Sequence, residues 1–197
     1  PRLENGWSYK HARRQWSLVD DENLKFGWLN EFDKEMLKFI KENNVIPCDR
    51  ESVDARVTAC REKYGFTEFA GDSVQYHDSG CVTFAILGTE AKQEDKLAFD
   101  PDRAKRRKIY AEVCETFSDY NVFVGGASSF DMAPKPFNKY YALDLYCKEK
   151  GIAHDEVVFV GDDYGLGGND ESVYKSDFGF ICVDDYTKLE EAVASLL

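Results

Sequence analysis

The sequence predicts an α/β protein in which a parallel sheet is interrupted by an α+β unit. Three observations carry this. From residue 138 onward, helical and strand patterns alternate, and the strands "EVVFVGD" (156–162) and "FGFICV" (178–183) are nearly continuous apolar runs. Such runs belong to parallel sheets covered on both faces. Between residues 72 and 134 the apolar period changes to two, with turn residues between the runs, as in antiparallel hairpins. Finally, 197 residues with 43% hydrophobic and 14% aromatic content suffice for a packed core in one large or two small domains. Two architectures in one chain imply joins near 15–22 and 132–137.

The elements follow in order. "LENGWSYKH" (3–11) places a turn at Asn5-Gly6 before a short aromatic strand. "DDENLKFGWLNEFDKEMLKFIKEN" (20–43) has Leu29, Phe32, Met36, Phe39 and Ile40 on one helical face, with Asp20 or Asp21 as cap. "RESVDARVTACREKYG" (50–65) is a second helix, with Val53, Val57 and Cys60 inward and Gly65 as its stop. "DSVQYHD" (72–78) and "CVTFAILG" (81–88) flank Ser79-Gly80 as a hairpin. Residues 100–120 form a helix with Pro101 in its first turn, and its basic cluster, Arg103 to Lys108, reads as a solvated face. "NVFVGG" (121–126) and "SSFDMAP" (128–134) are strands. Helix 138–151, strand 156–162, a short helix near 170–175, strand 178–183 and helix 186–197 complete the chain.

A formal net charge of −12 argues against nucleic acid or anionic membrane as the main partner. No apolar run approaches 18 residues, so no membrane span is expected. The six cysteines form no C-x-x-C pair and have no His at a zinc-binding offset. They are expected to be reduced thiols of a cytoplasmic protein.

Chemistry concentrates in "VVFVGDDYGLGGND" (157–170). Ligands of open α/β sheets sit beyond the carboxyl ends of the strands, where Asp162 and Asp163 fall. A hard cation such as Mg²⁺ prefers carboxylate oxygens and retains several waters. Asp162, Asp163 and Asp170 are therefore the expected metal residues, with Asp170 closing the site across the Gly165–Gly168 turn. The same stretch would also serve as an acidic turn with Asp170 capping the next helix. The two roles are compatible.

"GDDYGLGGND" resembles the fourth motif of the haloacid dehalogenase (HAD) superfamily. Its eight-residue step from Asp162 to Asp170 is closest to the eukaryotic-type phosphomannomutases and nearby sugar phosphatases. "GGASSFDMAPKPFNKYYAL" (125–143) resembles the same family's strand, loop and lysine-bearing helix, with Lys139 at the catalytic lysine position. "ENG" (4–6) and "DSGCVTFAILG" resemble the segment after the second motif and the cap hairpin, so that the resemblance runs over nearly the whole chain. It implies an incomplete HAD-like Rossmannoid core (1–19 and 133–197) with an inserted α+β cap (20–132). It also implies Mg²⁺ as cofactor, a small phosphorylated metabolite as partner, and Ser129, Asp131 and Asn138 as substrate-binding residues. A lysine at a helix start opposes the helix dipole, which favours a functional reason for Lys139.

The family's nucleophile lies in a "DxDGT" stretch on the first core strand. No such stretch occurs in residues 1–197. "VDDEN" (19–23) and "VDDYT" (183–187) have paired acids but no Gly-Thr turn. The chain is therefore expected to hydrolyse no phosphate ester alone. The resembling mutases hold phosphate with arginines where this sequence has Thr89 and Val124, which favours a phosphatase over a mutase; His77 and Lys92 are candidate replacement contacts. The alternative is a non-catalytic scaffold that binds a ligand or partner. A first strand missing from a sheet exposes edges, so either a strand partner from elsewhere or self-association as a homo-oligomer is expected.

Overall fold

In the computed structural model, residues 49–77 and 81–194 are described. The first helix, α1 (Arg50–Tyr64), starts where the Asp49 carboxylate accepts the Ser52 amide at 3.1 Å and ends at Gly65, whose φ of 71° needs no Cβ. Val53, Val57 and Cys60 point inward as the periodicity requires. The expectations for residues 3–11 and 20–43, and the turn at Ser79-Gly80, lie outside the described residues.

Strands β1 (Val74–Tyr76), β2 (Val82–Ala85), β3 (Tyr120–Phe123) and β4 (Ser129–Pro134) form one antiparallel sheet in the order β1-β2-β4-β3. Thr83 lies opposite Gln75 on one side and Asp131 on the other, and Asp131 lies opposite Phe123. Because strand side chains alternate, this row is one face; Val82, Phe84, Phe130, Met132 and Val122 bury the other against α1 and α3. β4 runs to Pro134 and pairs within this sheet along its whole length.

The helix expected over 100–120 is present but shorter, and a separate helix precedes it. α2 (Gln93–Phe99) was not anticipated, and α3 spans Ala104–Thr116. Pro101 removes an amide donor and pushes the residue before it out of the helical region; Asp100 has φ −154° and ψ 64°. The Asp100 carboxylate then accepts the amides of Lys105 and Arg106 at 2.9 and 3.1 Å, opening α3 after the break.

The last third alternates as expected: α4 (Lys139–Lys150), β5 (Val158–Gly161), α5 (Glu171–Tyr174), β6 (Gly179–Cys182) and α6 (Leu189–Ala192), with 3-10 turns at His154–Glu156 and Tyr186–Lys188. β5 and β6 are parallel, with Val160 opposite Ile181. Among the described residues β5 pairs with β6 alone. Leu143, Cys147, Phe159, Val173 and Phe178 form the apolar cluster around this pair. Cys60, Cys81, Cys114, Cys147 and Cys182 are free thiols. No helix of the described residues is long and apolar enough to cross a membrane.

Candidate active site

The loop after β5 is organised by Asp170. Its side chain is 1% exposed. One carboxylate oxygen accepts the amides of Asp162 and Asp163 at 3.1 and 3.0 Å; the other accepts Lys139 Nζ at 2.5 Å. Lys139 Nζ also reaches Asn169 Oδ1 at 3.0 Å. Asp170 occupies the N-cap position of α5 but makes no side-chain cap bond there. It closes the loop back on the strand end instead. Three charge-assisted bonds on one buried carboxylate form a rigid anchor that holds the Lys139 ammonium beside the tip of β5.

The glycines permit this closure by geometry. A Cβ on Gly168 would sit 2.0 Å from the Asp163 carbonyl oxygen, and one on Gly161 would sit 2.6 Å from Asp170 Oδ2. Gly167 has φ 73°.

The three acidic residues do not converge. Asp162 is exposed, and its carboxylate has no partner among the described residues. Asp163 is buried and turned to Arg103, with Arg107 Nη2 at 3.9 Å from the same oxygen and the Asn169 amide at 3.3 Å from the other. Of the three acids expected around a cation, Asp163 thus faces Arg103 and Asp170 faces Lys139, and only Asp162 points to solvent. Among the described residues no three His, Cys, Asp or Glu side chains gather as a metal-binding group.

Ser129 and Asp131 lie together on the open sheet face. Asp131 accepts Thr83 Oγ1 at 2.9 Å, Ser129 Oγ is 3.5 Å away, and Thr83 is 3.1 Å from His77 Nε2. Burial pushes the Asp131 carboxyl above the usual range; the Thr83 hydroxyl and the charges of His77 and Arg106 pull less strongly the other way. Asn138 caps α4 by accepting the Tyr141 amide at 2.8 Å and lines a cleft of 340 Å³ with Tyr110, Asn121, Lys135, Glu171 and Ser172. Lys139 and Asp162 do not line that cleft. Thr89 Oγ1 accepts the Asp72 amide and Val124 is buried, so neither position offers a cation. Lys92 stands at the N-cap position of α2 without a side-chain cap bond.

Arg106 corrects the reading of its cluster as a solvated face. It is 0% exposed; Nε donates to Asp100 at 2.8 Å and Nη1 to the carbonyls of Gly125, Gly126 and Ser129. Burial acts to raise the Asp100 carboxyl, but Arg106 and the two amides outweigh it and hold the group below its ordinary value. The available signal was an acid six residues before an arginine across a proline break. It shows a buried ion pair only once the turn at 125–129 is known to need a donor.

A HAD-like fold accounts for this combination: a parallel strand pair ending in an acidic glycine loop, a helix-borne lysine on its buried acid, and an antiparallel unit with a polar face. The chain belongs to the eukaryotic phosphomannomutase family of the HAD superfamily, whose model matches residues 68–187. It is 33% identical over 103 residues to a phosphomannomutase of Arabidopsis thaliana, covering 50% of this chain and 40% of that one. A phosphomannomutase of Solanum lycopersicum is 31% identical over 104 residues, covering 50% and 39%. The chain thus spans less than half the length of these relatives. A separate likeness, 40% over 53 residues, is to a 1,4-alpha-glucan-branching enzyme of Oryza sativa, covering 27% of this chain and 6% of that one. The structure of an N-terminally truncated, IMP-bound IMP-nucleotidase of Plasmodium falciparum aligns with a TM-score of 0.47 and 14% identity, covering 96% of this chain and 42% of that one. At that overlap it adds nothing to the family assignment. The family match begins at Glu68, so the expected resemblance of residues 4–6 has no counterpart in it.

Proposed function

We propose that this chain supplies the ligand-holding part of a Mg²⁺-dependent phosphatase acting on a sugar phosphate or similar small phosphorylated metabolite. The observation that carries the reading is the Lys139 ammonium anchored on buried Asp170 beside the strand tip. A fixed cation there stabilises phosphoryl oxygens without reorganising when they arrive. Ser129, Asp131 and Thr83 offer hydroxyls and a carboxyl for a sugar, on the sheet face that serves as the cap. The absence of cations at Thr89 and Val124 favours a phosphatase over a mutase.

The donor set fits Mg²⁺ in a restricted form. That ion takes one or two carboxylates and keeps its remaining positions for water and phosphate oxygens. Asp162 provides the unengaged carboxylate, and Asp170 stands behind it through the Asp162 amide. Bound there, the ion would offset charge on a phosphoryl group. The chain's own part is to present Asp162, hold the Lys139 proton-bearing nitrogen in place and orient the sugar.

The nucleophilic carboxylate comes from outside residues 1–197 in this proposal. The chain alone therefore turns over no p-nitrophenyl phosphate but binds mannose 6-phosphate in the presence of MgCl₂. Calorimetric titration of wild type and Lys139→Ala tests this: binding is expected to weaken at least about ten-fold on loss of the charge-assisted contact. Equal affinity in the variant, or turnover by the chain alone, overturns it.

A further inference from the structure

The arginines that hold Asp163 do so against two local penalties. Arg103, at the N-cap of α3, has φ 61°, a left-handed conformation that is unfavourable for a residue with a Cβ. Arg103 and Arg107, one turn on, also place positive charge at the positive end of the helix dipole, and the first turn of α3 carries no acidic residue. A buried carboxylate within reach of both answers the two penalties together. Asp163 has both oxygens engaged, while the arginine side chains are only 32% and 33% exposed.

Main-chain bonds tie the same loop to the same unit. Arg107 Nε donates to the Leu166 carbonyl at 3.1 Å, and the Val124 amide to the Gly167 carbonyl at 2.7 Å. A Cβ on Gly165 would sit 2.9 Å from Arg107 Nη2, and one on Gly167 would sit 2.9 Å from Tyr110 and Val124. The loop therefore touches α3 and the residue that follows β3.

We propose that Arg103 and Arg107 are positioning residues that act through Asp163. They latch the acidic loop to the antiparallel unit and withdraw Asp163 from cation binding, so that Asp162 is the carboxylate the loop presents. The cation half rests on the proposed function; the latch does not.

Two measurements decide it. In amide hydrogen exchange, Arg103→Gln and Asp163→Asn should each speed exchange at Val124 by about ten-fold, and the double variant should add nothing beyond the larger single effect, because coupled partners fail to add. Unchanged rates, or a double variant near the product of the singles, overturn the latch. In calorimetric titration with MgCl₂, Asp162→Asn should weaken binding at least about ten-fold, while Asp163→Asn stays within about two-fold of wild type. If Asp163→Asn weakens binding as much as Asp162→Asn, Asp163 is a ligand and the proposal fails. If wild type takes up no Mg²⁺, the cation half and the reading beneath it fall, whereas the exchange result fails only with the latch.

Discussion

The four-stranded sheet and the acidic loop sit side by side and are held together by opposite means. The sheet buries Val82, Phe84, Phe130, Met132 and Val122 against two helices, and its register follows from which face must leave water. The loop buries two carboxylates and satisfies them with main-chain amides, a lysine and an arginine. Apolar packing tolerates small shifts of its neighbours. A charged network does not, because an unpaired buried carboxylate costs far more than a lost methyl contact. The loop is therefore the more exacting of the two in position, although the sheet carries more of the stability.

The largest effect that would test this contrast is Phe84→Ala. Phe84 is fully buried, its ring centroid is 6.2 Å from that of Phe130, and the Arg61 guanidinium lies over its ring at 5.2 Å. Truncation should cost about 3–5 kcal/mol in denaturant unfolding. A loss below about 1 kcal/mol would mean that the sheet is not the main store of stability.

Asp170→Asn comes next. The amide keeps the shape but gives up the negative charge facing Lys139 and turns a donor toward the Asp162 and Asp163 amides or the ammonium. About 2 kcal/mol of stability should be lost, with Lys139 partly rescued by solvent because a third of its side chain is exposed. A neutral outcome in thermal unfolding would show that the loop does not depend on its buried charge.

A smaller effect separates backbone from packing. Gly151 ends α4 at φ 67° with open space where a Cβ would stand. Gly151→Ala should therefore cost about 1 kcal/mol from the left-handed conformation alone. A larger loss would point to a contact that this geometry does not contain.

Sequence was informative where one force dominates. Period-two alternation located the four antiparallel strands of the described residues, and continuous apolar runs located the parallel pair, since burial alone decides both. Lys139 stood out by its resemblance to the family's lysine-bearing helix and Asp170 by its place after the glycine turn, but their pairing shows only in the structure. Three features were not. The break at Pro101 looked compatible with a helix start, because nothing local reveals that Asp100 caps a helix four residues on. Arg106 looked solvated among its basic neighbours, since its partners are carbonyls of a turn some twenty residues away. Asp163 looked like Asp162, because adjacent residues leave a strand end in opposite directions and only the position of α3 decides which one meets an arginine.

The smallest expected effect lies where the two modes of construction meet, at Asp131 on the sheet. Burial holds its carboxyl above the ordinary value, with the Thr83 hydroxyl and nearby positive charge only partly offsetting that. In this range the folded chain binds more protons at Asp131 than the unfolded chain does. Stability therefore falls as pH rises from the ordinary carboxylate value through the raised one, and stays lower above it. The paired acids Asp100 and Asp119 shift the other way and add stability as pH rises, so total stability conceals the effect. The difference between Asp131→Asn and wild type isolates it. The variant's thermal midpoint relative to wild type should rise with pH from about 4 upward and then level off. A difference that is flat with pH would mean that Asp131 is as well solvated when ionised as an acid on an open surface, and that the sheet face is not the partly dry surface proposed for the sugar.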